Sequence, residues 1–516
     1  MWGRSLLPTL LGVMLSSCCY GQQPYSPPGA ADAASRMQYH YELAYRMQDQ
    51  GDLAQADAEH TAFLLAALES VATGYANTGD YTRAASVYQE ALALAPKDFQ
   101  LLFDYARAAM DSNDPRKTIA LLTPALAPGA PTLTPTQYAQ TLKIIAQALY
   151  ALGYHQHALE AYLAAAYSDP GYDNMYALGV AMLSIRGNSQ ARPIFDAALR
   201  NYGDTARHHM DLGRAYGQSR YPDDAEQQFQ RALELAPTFP GAHYSLGAAY
   251  MDQTHANVEL AEKEFREELA LNPDDARDDA LSFQQLGLIA QQRGDNKEAE
   301  QDFLRATELA PDNSSNFLHL GSLYYHLNRP QDAEPALRRA IQLSPGPEHN
   351  FWEIQRAHYQ LGRILAAKGD QQEAASELAI SQSLLDRSRK QQEHRVTGLE
   401  EIDMDRPAKT HITSPQDIAA FQEFLEHLTP LIAAGYNNLG VHAAMATRFE
   451  IAAKRFALAA QWDPSLPGVN RNWARAAFAA HDCRQAGNPL RRAIQQAPSD
   501  AELNSMLTAC RDAINQ

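Results

Sequence analysis

The sequence predicts an all-α fold: a superhelical solenoid of about twelve helical hairpins, some degenerate, closed by a C-terminal capping helix. Three observations predict it. The first is a pattern written twice between Phe283 and Pro345. Phe283, Leu286, Gly287, Ala290, Gly294, Ala299, Phe303, Ala306 and Pro311 return as Phe317, Leu320, Gly321, Tyr324, Asn328, Ala333, Leu337, Ala340 and Pro345, each offset by 34 residues (321 − 287). The second is local. Leu286, Ala290 and Arg293 fall at helical steps, and Gly294 stops that helix because glycine accepts the left-handed conformation. Asp295 then caps the next helix, with Glu298 completing a capping box, and Asp370 with Glu373 repeats the device after Gly369. The third is composition: a chain rich in Ala, Leu and Gln, with 9% aromatic residues to wedge between helices. A lone two-helix hairpin cannot bury its apolar face, so such units stack.

Taken in order, residues 1–23 stand apart from the repeats. Arg4 precedes an apolar run from Leu6 to Leu15 that is too short to span a bilayer and has the proportions of a signal-peptide core. It ends in Leu15-Ser16-Ser17-Cys18, which resembles the lipobox of bacterial lipoproteins, with Cys18 the residue to be lipidated. Ordinary secretion and a cytoplasmic protein with an apolar start stay open as alternatives. Residues 24–35, with Pro27, Pro28 and Gly29, read as a flexible tether. The array is expected over 36–385, weak at Leu43, Ala44, Gly51 and Ala56, and regular from Leu212 onward. Residues 386–414 read as a polar linker carrying a decayed repeat helix. Repeats resume over 415–500, with 415–428 as the second helix of a repeat that has lost its first, and 501–516 form the cap.

The order and period of these residues resemble the tetratricopeptide repeat (TPR), W-x2-L-G-x2-Y…A-x3-F…P over 34 residues. The resemblance implies that the first helix of each hairpin lines a concave groove holding an extended peptide or a partner helix. The inward positions carried over this way include Arg107, Lys143, Tyr176, Arg214, Tyr244, Gln284, Tyr325, Tyr359, Arg363, Asn437, Arg471 and Arg475. Counted with Arg207 and Arg356, the lining holds eight positive residues against Glu69, Asp111, Asp173 and Asp252, within a chain of net charge −18. A protein or peptide partner that is acidic or aromatic-rich is therefore expected. The Lys/Asn clamp of chaperone-binding members is not reproduced.

The acidic balance argues against nonspecific binding to nucleic acid or anionic membrane, and contact with a membrane is expected only through the N-terminal lipid. No Gly-rich phosphate loop, HExxH helix, GxSxG elbow or paired CxxC is present, so neither catalysis nor a metal or cofactor is expected. Acidic clusters such as Glu262, Glu264, Glu267 and Glu268 read as solvated helix faces. Cys483 and Cys510 fall on neighbouring elements of the resembled stack. They can bond in an oxidising compartment or remain two small thiols. The expectation is an exported, non-catalytic scaffold of the bacterial envelope. The alternatives are an assembly factor acting through array-to-array contacts and an accessory subunit of an envelope enzyme system.

Overall fold

A computed structural model describes residues 30–515 apart from 128, 131, 254–255, 272–275, 345–350 and 397–414. The proposed signal, Cys18 and most of the tether lie outside them. The described residues form α-helices and one 3-10 turn, with no strand among them. They divide into two compact units.

The second unit, Pro135–Met404, is a continuous run of hairpins. Its helices are α6 (Pro135–Ala151), α7 (His155–Ser168), α8 (Tyr172–Arg186), α9 (Asn188–Tyr202), α10 (Ala206–Gln218), α11 (Pro222–Leu235), α12 (Ala242–Asp252), α13 (Val258–Leu271), α14 (Ala276–Arg293), α15 (Asn296–Leu309), α16 (Ser314–His326), α17 (Pro330–Leu343), α18 (Phe351–Lys368) and α19 (Gln371–Val396). The small residues explain the close crossings. A Cβ at Gly287 would stand 2.6 Å from the Phe303 ring, so only glycine lets that ring seat between α14 and α15. Phe303, Ala299 and Ala306 are fully buried. Gly294 adopts φ 83°, and Asp295 accepts a hydrogen bond from the Glu298 amide at 3.1 Å. The reciprocal half of the expected capping box is diverted, because Glu298 takes Arg266 at 3.1 Å and Glu373 takes Arg338 at 2.7 Å. Helix α19 continues to Val396, into the stretch 386–414 expected to hold a decayed repeat helix and a linker, of which 397–414 lie outside the described residues.

The first unit joins both parts of the chain, residues up to Thr134 and from Asp405 on. Its helices are α1 (Ala30–Asp49), α2 (Leu53–Asn77), α3 (Tyr81–Leu94), α4 (Phe99–Asp111), α5 (Pro115–Leu122), α20 (Pro415–Met445), α21 (Phe449–Trp462), α22 (Val469–Ala479), α23 (Cys483–Gln496) and α24 (Ala501–Asn515). Helix α1 already starts at Ala30, inside the expected tether. Two helices are longer than a repeat allows. In α2, of 25 residues, the second helix of the weak first hairpin runs into the first helix of the next. In α20, of 31 residues, 415–428 continues through Pro430 instead of ending there. No turn residue separates the halves, and the buried series Leu428, Ile432, Tyr436, Leu439 and Ala443 keeps its helical step across the proline. The two long helices pack antiparallel. Phe421 covers Gly74, Leu64 meets Gly435, and His442 reaches Asp57. Phe63, Leu64, Leu68, Val71, Tyr88, Ile432 and Tyr436 share this core.

Candidate functional site: the first-helix faces

In the second unit, two of the expected groove residues, Tyr176 and Gln284, tie one first helix to the next. Tyr176 donates its hydroxyl to the Asp211 carbonyl on α10 at 3.2 Å. Gln284 is buried, contrary to expectation, and donates to Ser315 Oγ at 3.1 Å, which in turn donates to Glu353 at 3.1 Å. Each of these positions follows the same logic: a polar side chain facing the neighbouring hairpin is worth more paired than solvated once the stack closes over it. Tyr244 is half-buried with its ring 5.8 Å from Phe265, and Tyr325 is half-buried beside His326. Lys143 is also half-buried. Arg214 is exposed, but Asp211 stands between it and Arg207, 4.0 and 3.8 Å away, so its charge is locally offset.

Helix α18 is different. Trp352, Arg356, Tyr359 and Arg363 follow at steps of four, three and four, which places them on one face. All four are exposed, Trp352 at 56% and Tyr359 at 45%. Neither Arg356 nor Arg363 forms an ion pair among the described residues. The field of Arg356 reaches the preceding hairpin: His319 on α16 is pushed down to about 4, by burial first and by the Arg356 charge second. This stripe offers two guanidinium forks alternating with two flat aromatic rings. That is a surface suited to carboxylates and aromatic side chains. Trp352 was not among the expected lining residues. Its position one turn before Arg356 was the signal that could have found it.

In the first unit, Arg107 is exposed and 3.8 Å from Asp104. Asn437 accepts from Asn472 Nδ2 at 3.3 Å. Arg471 and Arg475 are engaged with Asp500, at 2.8 Å, and with Glu502. They dock the first turn of α24 rather than face an open groove. Cys483 and Cys510 meet with their Cα atoms 4.9 Å apart and their sulfurs bonded, holding α24 against α23. No cluster of metal-binding side chains occurs among the described residues. No helix among them is long and apolar enough to cross a membrane.

The acidic face of α13 must also be corrected. Glu264 and Glu268 are buried. Glu268 accepts from the Gly241 and Tyr244 amides at 3.0 and 3.1 Å, capping α12, while Glu264 holds His243 at 2.6 Å. Helix N-termini leave such amides unsatisfied, and a carboxylate from the second helix of the hairpin satisfies them here.

Family models agree with the repeats seen in the structure. Tetratricopeptide-repeat family models match residues 176–238, 211–276 and 285–346, and another of the same description matches 77–132. No curated protein matches the chain. Solved structures similar to parts of it include PilF of Pseudomonas aeruginosa, 20% identical over 45% of this chain and 99% of that one, with a TM-score of 0.36. PilW, described as a widely conserved type IV pilus biogenesis factor, is 16% identical over 41% of this chain and 92% of its own, with a TM-score of 0.34. MamA from Desulfovibrio magneticus is 20% identical over 36% and 97%, with a TM-score of 0.30. The 34-residue period, the glycine–phenylalanine crossings and the family matches together show that this chain carries tetratricopeptide repeats.

Proposed function

We propose that the protein is a non-catalytic docking scaffold of the bacterial cell envelope that captures a carboxylate-bearing, aromatic-rich segment of a partner protein on the exposed face of α18. The observation that carries this reading is the stripe Trp352, Arg356, Tyr359, Arg363, whose two arginines lack an acidic partner among the described residues. Arginine grips a carboxylate through paired N–H groups, and tyrosine and tryptophan add flat area at low entropic cost. Binding of a synthetic peptide rich in Glu and Phe should weaken as salt rises, because exposed charges attract less once screened. A Gln-for-Glu version of the peptide that binds equally well would contradict the reading.

The envelope assignment draws on Leu15-Ser16-Ser17-Cys18 and on the Cys483–Cys510 bond, which persists best in an oxidising compartment. Mass spectrometry of native, non-reduced protein should find a lipid-modified Cys18 at the N-terminus and the Cys483 and Cys510 peptides joined. An intact Met1 with two free thiols would count against export.

A further inference from the structure

The antiparallel seam between α2 and α20 is apolar along most of its length and becomes polar at one end. His60 on α2 is fully buried there. Its Nε2 lies 3.4 Å from Nδ2 of Asn438 on α20, and its Nδ1 has no hydrogen-bond partner. Asn438 Nδ2 also donates to the Tyr45 hydroxyl at 3.1 Å. His442, one helical turn along α20, is 4% exposed and holds Asp57 through Nδ1 at 2.7 Å. The two imidazole rings are 6.1 Å apart.

A neutral His60 fits this pocket, with Nε2 accepting from the Asn438 amide. A protonated ring does not fit. Its Nε2–H would point at an amide NH2, while the Nδ1–H, which the neutral tautomer also carries, finds no acceptor in either state. The surrounding charges offer little relief. Asp57 is committed to His442, and Glu59 is committed to His40 at 2.7 Å and Gln55 at 2.6 Å. From α21, Arg455 adds positive charge while bonding the Leu439 carbonyl. From α3, Glu90 is occupied by the Trp462 indole at 2.7 Å. Tyr41 and Tyr45 on α1 contribute neutral phenols, burial keeping Tyr41 well above its ordinary range.

We propose that His60 is an acid-sensitive latch, whose protonation in mild acid parts α2 from α20 and unlocks the N-terminal helices of the first unit from its C-terminal ones. In the closed seam the ring is held down to about 4, by burial first and by His442 second, with Asp57 opposing. Once the seam opens, His60 regains an ordinary affinity for protons, near 6.5. Between those limits opening takes up one proton, so the opening equilibrium rises about tenfold per pH unit as pH falls. Opening uncovers Leu64, Ile432 and Tyr436, which the closed seam buries.

Hydrogen exchange on the full chain, read by mass spectrometry at about pH 7 and about pH 5 and corrected for the intrinsic pH dependence of exchange, tests this. Protection in residues 53–77 and 431–445 should fall together in acid, while 314–326 keeps its own. His60→Gln cannot take up the proton and should keep the seam protected at both pH values. Unchanged protection in the wild type, or the same acid loss in His60→Gln, overturns the latch. If His60→Gln does not fold, the ring of His60 in wild-type protein labelled on histidine decides by NMR. Titration at about 6.5 without loss of protection overturns the proposal. Titration displaced below that and coincident with opening supports it.

Discussion

Glu268 shows how a single side chain can be misread from its neighbours. Glu262, Glu264, Glu267 and Glu268 look like one solvated face, yet Glu267 is exposed and Glu268 is fully buried. The partner that decides the matter, the Gly241 amide, is 27 residues away and reached only once the hairpin closes. Glu268→Ala should strand two buried amides and cost about 1–3 kcal/mol, measured by denaturant unfolding. A loss below about 0.5 kcal/mol would mean that the cap contributes little. Turn residues show the same limit. Gly294 was legible as a helix stop because glycine tolerates φ 83°. Thr447 holds the equivalent turn at φ 58°, a conformation that a β-branched residue adopts only under compulsion from the helices on either side. No local preference of threonine points to it. The stripe on α18 was half legible. Arg356, Tyr359 and Arg363 followed from the repeat register, whereas the pairing of Arg471 and Arg475 with the capping helix depends on contacts that no register specifies.

At the scale of the hairpin, repeats place a buried or half-buried histidine on the first helix against an acceptor on the second. His243 meets Glu264 at 2.6 Å and His358 meets Glu377 at 2.5 Å, while His209 meets Gln228 at 2.7 Å. The hydrogen bond that His243 donates to Glu264 raises His243 above its ordinary value against the pull of burial. Burial pushes Glu264 upward, but His243 and Lys263 together leave the carboxyl lowered. The unfolded histidine therefore loses its proton first as pH rises through about 6.5, and the stabilisation present below that pH fades above it. The carboxylate contribution fades in the other direction, below about 4.5. Exchange protection of α12 should consequently be greatest in mildly acidic solution and decline toward pH 8, and His243→Gln should remove the decline. A flat profile in the wild type would show that the pair carries no linkage. This slope is opposite in sign to that of the α2–α20 seam, so the two elements report separately. The fused helices themselves were legible in part. The apolar step through α20 is unbroken across Pro430, but the proline invites a boundary because it removes a backbone N–H.

For the whole molecule, the period of 34 predicted hairpins that touch only their neighbours, as in any solenoid. The second unit behaves so. The first unit departs from it, since α2 and α3 share a core with α20 and α21 from more than 300 residues later in the chain (415 − 94 = 321). Sequence periodicity encodes nearest-neighbour stacking and says little about such distant closure. Deleting residues 415–516 should therefore strip protection from residues 53–94 while leaving 206–343 folded, as read by hydrogen exchange. Full protection of 53–94 in that truncation would mean that the first hairpins stand alone.

The most direct measurement of the central claim is a titration of the acidic, aromatic-rich peptide against charge-reversed proteins. Arg356→Glu with Arg363→Glu should weaken binding by at least about tenfold, since each lost charge-assisted pair is worth about 1.5–3 kcal/mol. Glu259→Lys with Glu267→Lys, on the exposed face of α13, should leave the affinity within about twofold. Equal losses from the two pairs, or none from the arginine pair, would contradict capture on α18.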